Sequence, residues 1–145
     1  MNPKFIVDTS VFNKLFLLEE GREQALRLFE KSALGEMDLY APSLLFFEVI
    51  STAQYYQLNL HDILKLYETQ TQYNLKIIEP NTMHRRQALQ IASLGHRKSG
   101  FPSIYDAIFH AIAMIEEAMM ITADRRYFRK VEKLGHILLL EDFAA

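Results

Sequence analysis

Short apolar blocks alternate along the chain with stretches in which apolar residues recur at helical spacing. Lys4-Phe5-Ile6-Val7-Asp8 is brief, apolar and partly β-branched, which predicts a buried strand. Thr9 and Ser10 then offer N-cap hydroxyls for a helix through Val11, Phe12, Leu15 and Phe16. Gly21 breaks that pattern, and a second helix carries Ala25, Leu26 and Phe29. Leu39-Tyr40-Ala41 predicts a short strand, and Pro42-Ser43 opens a helix with Leu44, Leu45, Phe47 and Val49. A helix from Ile63 to Gln72 follows, then a strand from Leu75 to Glu79 that Pro80 stops. Asn81 or Thr82 caps a helix to about Leu94, and Gly95 to Gly100 is a loop. Ser103 caps the most regular helix, with Ile104, Ile108, Ala111, Ile112 and Ile115 along one face. Ala118 to Thr122 reads as a strand, Arg125 to Leu134 as a helix, and Ile137 to Leu140 as a last strand.

Strands alternating with helices predict an α/β domain built on a mainly parallel sheet. There are no repeats or low-complexity tracts, and the 145 residues fit one domain, 1–145. In such sheets ligands gather beyond the carboxyl ends of the strands.

Composition narrows the chemistry. Half the residues are hydrophobic, enough for a substantial core, and the formal net charge of -2 gives no sign of the strongly basic balance common in nonspecific nucleic-acid binders. There are no cysteines, which removes disulfides, zinc-thiolate sites and thiol nucleophiles and is compatible with a reducing cytoplasm. No signal peptide is legible before the first strand, and no apolar run approaches the ~20 residues of a membrane span.

Four acids stand in awkward places: Asp8 at the end of KFIVD, Glu48 inside SLLFFEVI, Asp106 in SIYDAIFHAIA, and Asp124 in MMITADRRY. A carboxylate beside apolar core is costly unless it is paired or bound to a metal. Asp8 and Asp124 fall at strand ends, whereas Glu48 and Asp106 fall early in helices that can cover the same edge. Convergence of the four predicts an acidic pocket for an oxygen-preferring ion, Mg²⁺ or Mn²⁺. Such an ion offsets charge on the phosphoryl oxygens of a phosphodiester under attack, so no serine or histidine nucleophile is needed. Each acid also has a plain structural reading. Asp8 and Asp124 can be helix caps, Glu48 can face solvent, and Asp106 lies opposite the isoleucine stripe, where a first-turn charge is favourable.

KFIVDTSVF, the Glu of PSLLFFEV, YDAIFHAIA and ITADRRYF, in this order and spacing, together resemble a PIN domain, and more narrowly the VapC-type ribonuclease toxins. The resemblance spans the whole chain. It implies a three-layer α/β/α sandwich with a parallel sheet, and Mg²⁺- or Mn²⁺-dependent cleavage of RNA. It assigns Asp8, Glu48, Asp106 and Asp124 as the catalytic, metal-binding acids. It gives Ser10 and Thr122 the hydroxyls that support neighbouring carboxylates or a water. It further implies a cytoplasmic homodimer neutralised by a small antitoxin. One departure is Val49-Ile50-Ser51-Thr52 after Glu48, where relatives often carry an Asn-containing turn.

Arg125 and Arg126, directly after the last acid, and Arg97 and Lys98, in the glycine-bracketed loop, are candidate RNA contacts, since phosphates are bound by Arg and Lys. Tyr105 is a candidate for base stacking and His110 for proton transfer, against core roles for both. Two other classes compete: a non-catalytic PIN-fold module that binds RNA or protein, and a receiver-like phosphoryl-transfer domain. The second lacks the early acidic pair that receivers carry beside their first strand.

Overall fold

The computed structural model describes residues 1–143. Five strands form one all-parallel sheet in the order β3-β2-β1-β4-β5. They are β1 (Lys4–Val7), β2 (Asp38–Pro42), β3 (Leu75–Ile78), β4 (Met119–Thr122) and β5 (Ile137–Leu139). The helices between them are α1 (Thr9–Phe12), α2 (Arg22–Ala33), α3 (Leu44–Tyr55), α4 (Leu60–Tyr73), α5 (Thr82–Ala92), α6 (Ile104–Ile115) and α7 (Arg125–Val131). Helices cover both faces of the sheet in the three-layer α/β/α sandwich that the resemblance implies, on the parallel sheet that the alternation predicts. The central strands are apolar because both faces are covered: Ile6, Val7, Leu39, Ala41, Met120 and Ile121 are all fully buried.

Strand order reverses between β1 and β4. The chain first builds outward from β1 through β2 to β3, then returns to the other side of β1 and builds outward again. The carboxyl ends of β1 and β4 therefore face a crevice that no crossover fills. The backbone N–H of Asp8 donates to Ile121 O at 3.0 Å, extending the pairing of these two strands to that crevice.

Several expectations shift in detail. The second helix buries Ala25, Leu28 and Phe29, while Leu26 is exposed. The buried face of α6 is Ala107 with Phe109 through Ala113, and Ile104, the first residue of the anticipated stripe, is exposed. Ala111 and Ile112 of that stripe are fully buried and Ile108 packs against the core, so the core face includes the middle of the stripe and widens to Ala107, Phe109, His110 and Ala113. Phe47, one of the apolar residues of the helix opened by Pro42-Ser43, is 67% exposed. The final strand stops at Leu139, and Leu140 enters a 3-10 turn. The predicted last helix is α-helical only to Val131, with a 3-10 turn over Glu132–Leu134.

Candidate active site

Asp8 and Asp124 sit immediately beyond the two strands that border the crevice: Asp8 follows β1 and Asp124 lies two residues after β4. Glu48 comes from the first half of α3 and Asp106 from the first turn of α6. All four line one open groove, together with Thr9, Ser10, Asn13, Thr52, Phe47 and Tyr105.

Each carboxylate is held differently. Asp8 is 3% exposed, and its Oδ2 accepts hydrogen bonds from Ser10 Oγ at 2.6 Å and Thr122 Oγ1 at 2.7 Å. Those hydroxyls are aimed by backbone: Ala123 N–H donates to Ser10 Oγ at 2.9 Å and Asp124 N–H to Thr122 Oγ1 at 3.0 Å. A hydroxyl that accepts from an amide has its own proton free to donate, so both point at Asp8. Asp8 makes no side-chain cap to α1, which removes its plain reading as a helix cap. Asp124 does cap α7, its Oδ1 accepting from Tyr127 N–H at 3.0 Å, yet it also lines the groove. Its two readings coexist because a carboxylate has two oxygens. Glu48 Oε1 accepts from Thr9 Oγ1 at 2.6 Å. Thr9, anticipated only as a cap, thus buttresses an acid.

The electrostatics are those of negative charge only partly compensated. Burial, opposed by the Ser10, Thr122 and Thr9 hydrogen bonds, pushes the Asp8 carboxyl above its ordinary range, with Asp124 adding to the rise. Burial likewise raises Glu48, despite the Thr9 bond. Asp106 is raised to about 7, first by burial and then by the charges of Asp8, Asp124 and Glu48. Lys130 is the cation that partly offsets this rise. Among the described residues, no salt bridge engages any of the four acids.

The donor set fits a hard divalent ion. All groove donors are oxygens, and no described hydrogen bond occupies Glu48 Oε2, Asp124 Oδ2 or either Asp106 oxygen. Asn13 adds a further oxygen that sequence reasoning missed: its Nδ2 donates to Thr52 Oγ1 at 3.1 Å, and its Oδ1 is buried without a partner among the described residues. The signal was available, since Asn13 lies five residues after Asp8 on the turn that continues α1. Among the described residues no three His, Asp or Glu side chains are grouped closely enough to hold a metal ion between them. Mg²⁺ keeps several waters and is commonly held by one or two carboxylates, so an open arrangement of this kind suits it.

The basic candidates lie apart from the groove wall. Arg125 is exposed, and its Nε and Nη2 donate to the two carboxylate oxygens of Glu141 at 3.1 and 2.5 Å, beside a second depression that also borders Asp124. Arg126 is exposed, and Arg97 and Lys98 sit in an exposed loop pinched by the His96–Gly100 bridge. Lys130 Nζ donates to Phe101 O at 3.2 Å and ties that loop to α7. Tyr105 is exposed on the groove rim. His110 is fully buried and does not line the groove, so it is not placed to exchange protons there.

The chain belongs to the PIN domain family, whose model matches residues 5–134. Solved structures share its fold at low identity. The chain is similar to a protein in VapBC-1 from nontypeable Haemophilus influenzae, with TM-score 0.72 and 16% identity over 96% of this chain and 99% of that one. It is similar to FitAcB from Neisseria gonorrhoeae, with TM-score 0.68 and 15% identity over 96% and 99%. A toxin-antitoxin complex from Klebsiella pneumoniae gives TM-score 0.65 and 17% identity over 93% and 96%. No curated protein sequence matches the chain.

Proposed function

We propose that this PIN domain is a Mg²⁺- or Mn²⁺-dependent endoribonuclease, with Asp8, Glu48, Asp106 and Asp124 holding the ion. The observation that carries the proposal is the convergence of these acids, from four separate elements, on one groove, with no salt bridge to any of them among the described residues. Like charges brought together at a cost to folding imply a positively charged ligand. A bound divalent ion supplies positive charge against the phosphoryl oxygens and acidifies an attacking water. The chain's own residues hold and orient. Ser10 and Thr122 fix Asp8, Thr9 fixes Glu48, and the α7 backbone fixes Asp124. Asp106, raised to about 7, is a groove carboxyl suited to hold a proton in the absence of the ion.

We further propose that the protein acts in the cytoplasm as the toxin of a toxin–antitoxin pair, as a homodimer neutralised by a small antitoxin. Support comes from structural neighbours that are themselves toxin–antitoxin assemblies. Incubating purified protein with RNA and Mg²⁺ or Mn²⁺ tests the activity: cleavage is expected, and Asp8→Asn abolishes it. Wild-type cleavage that persists in excess EDTA overturns the metal mechanism. Expression of the protein alone tests the toxin role: growth arrest is expected, relieved by co-expression of a small antitoxin that forms a stable complex with it.

A further inference from the structure

We propose that His110 and Tyr127 form a buried brace that sets Asp106 and Asp124 relative to one another, acting as positioning residues for the proposed cleavage. The proposal rests on the ribonuclease reading of the groove for its catalytic consequence, but the brace itself is geometric. His110 is fully buried and Tyr127 is 3% exposed, and neither lines the groove. His110 lies one turn after Asp106 on α6, and Tyr127 lies in the first turn of α7, which Asp124 caps.

The hydrogen-bond directions are determined by chemistry. His110 Nε2 is 2.8 Å from Gly135 O, which can only accept, so Nε2 carries the proton. Burial lowers the His110 pKa and favours the neutral ring, leaving Nδ1 as an acceptor. The Tyr127 hydroxyl, 3.0 Å away, therefore donates to Nδ1. Tyr127 N–H donates in turn to Asp124 Oδ1 at 3.0 Å. One continuous path runs from the Asp124 carboxylate through Tyr127 and His110 to the turn before β5, and His110 shares its helix with Asp106. The Tyr127 hydroxyl is also close enough to the groove for Asp106, Asp8 and Asp124, after burial itself, to raise its pKa.

Filling space between α6 and α7 would need only apolar bulk. A donor and acceptor matched on both ring nitrogens instead select one arrangement of the two helices. Groups that orient metal-binding side chains from behind typically contribute ~10–100-fold to metal affinity or activity.

The test uses the full chain with Tyr127→Phe, which keeps the ring and removes the hydroxyl, alongside His110→Gln and His110→Ala. Carboxyl ¹³C signals of Asp106 and Asp124 are measured without metal, and kcat and KM are measured on RNA with Mn²⁺. In folded Tyr127→Phe both carboxyl signals are expected to move, while that of Glu48, held by Thr9, stays. The kcat is expected to fall ~10–100-fold with KM little changed. His110→Gln, which keeps an N–H for Gly135, is expected to recover part of the loss seen in His110→Ala. A Tyr127→Phe protein with a lower melting temperature but unmoved carboxyl signals overturns the brace and leaves only packing. If wild-type protein cleaves no RNA, the ribonuclease reading fails. The carboxyl signals then decide the brace alone: movement of both supports it, and movement of neither overturns it.

Discussion

Thr122 and Asp8 are separated by 114 positions in sequence, yet the Thr122 hydroxyl donates to Asp8 Oδ2 at 2.7 Å. The contact crosses the crevice where strand order reverses, and the Asp124 N–H holds the same hydroxyl from behind. A single threonine thus joins the strand end that presents one acid to the backbone of another.

Thr122→Val keeps the shape of that side chain and removes its hydroxyl. The buried Asp8 carboxylate then loses one of two side-chain donors, and the Asp124 N–H loses its acceptor. Chemical denaturation should show a loss of about 1–3 kcal/mol. RNA cleavage should fall ~10–100-fold. A variant as stable and active as wild type would show that Ser10 alone holds Asp8.

The groove acids make the metal-free protein sensitive to pH. The Asp106 carboxyl is raised from 3.8 to about 7, so the folded state binds a proton more tightly than the unfolded chain. Its contribution is fully present below pH 3.8 and is lost as pH rises through about 7. His110 acts in the opposite sense: its pKa lies below 6.5, so stability falls as pH drops through that value. Comparing melting temperatures of wild type and Asp106→Asn in EDTA isolates the acid. Wild type should lose stability relative to the variant between pH 4 and pH 8, and a difference that does not change with pH refutes the raised carboxyl.

Asp106→Asn should separate stability from activity. It removes a half-buried charge that three other carboxylates oppose, so the metal-free variant should melt higher than wild type at pH 8. Cleavage should be abolished. Mn²⁺ should raise the melting temperature of wild type, by mass action on the folded state, and raise that of the variant much less. Equal metal stabilisation of both proteins would remove Asp106 from the ion's donors.

Glu141 engages Arg125 through both carboxylate oxygens at the exposed edge of the site. Glu141→Gln releases that guanidinium, so RNA binding should tighten at low salt. The salt dependence should steepen by about one counterion. Arg125→Ala in the same background should cancel both effects. No change in the salt slope on releasing Arg125 would take it out of the RNA path.

The sequence by itself determined the alternation of strands and helices, the apolar central strands, and the acids as misplaced charges. These follow from local periodicity and from the cost of charge beside apolar segments. Periodicity placed only part of the core face of α6: Ala111 and Ile112 of the stripe are fully buried, while Ile104 is exposed and Ala107, Phe109, His110 and Ala113 are buried beside it. Only the tertiary structure decided that β1 and β4 are neighbours at a reversal of strand order, and this brings Asp8, Ser10 and Thr122 into one network. It alone revealed Thr9 behind Glu48 and His110 turned into the core toward Tyr127. Hydrogen bonds between elements depend on strand order and helix rotation, which long-range packing sets. The sequence anticipated that the four acids share one edge; which of their oxygens are held, and by which groups, is a property of the fold.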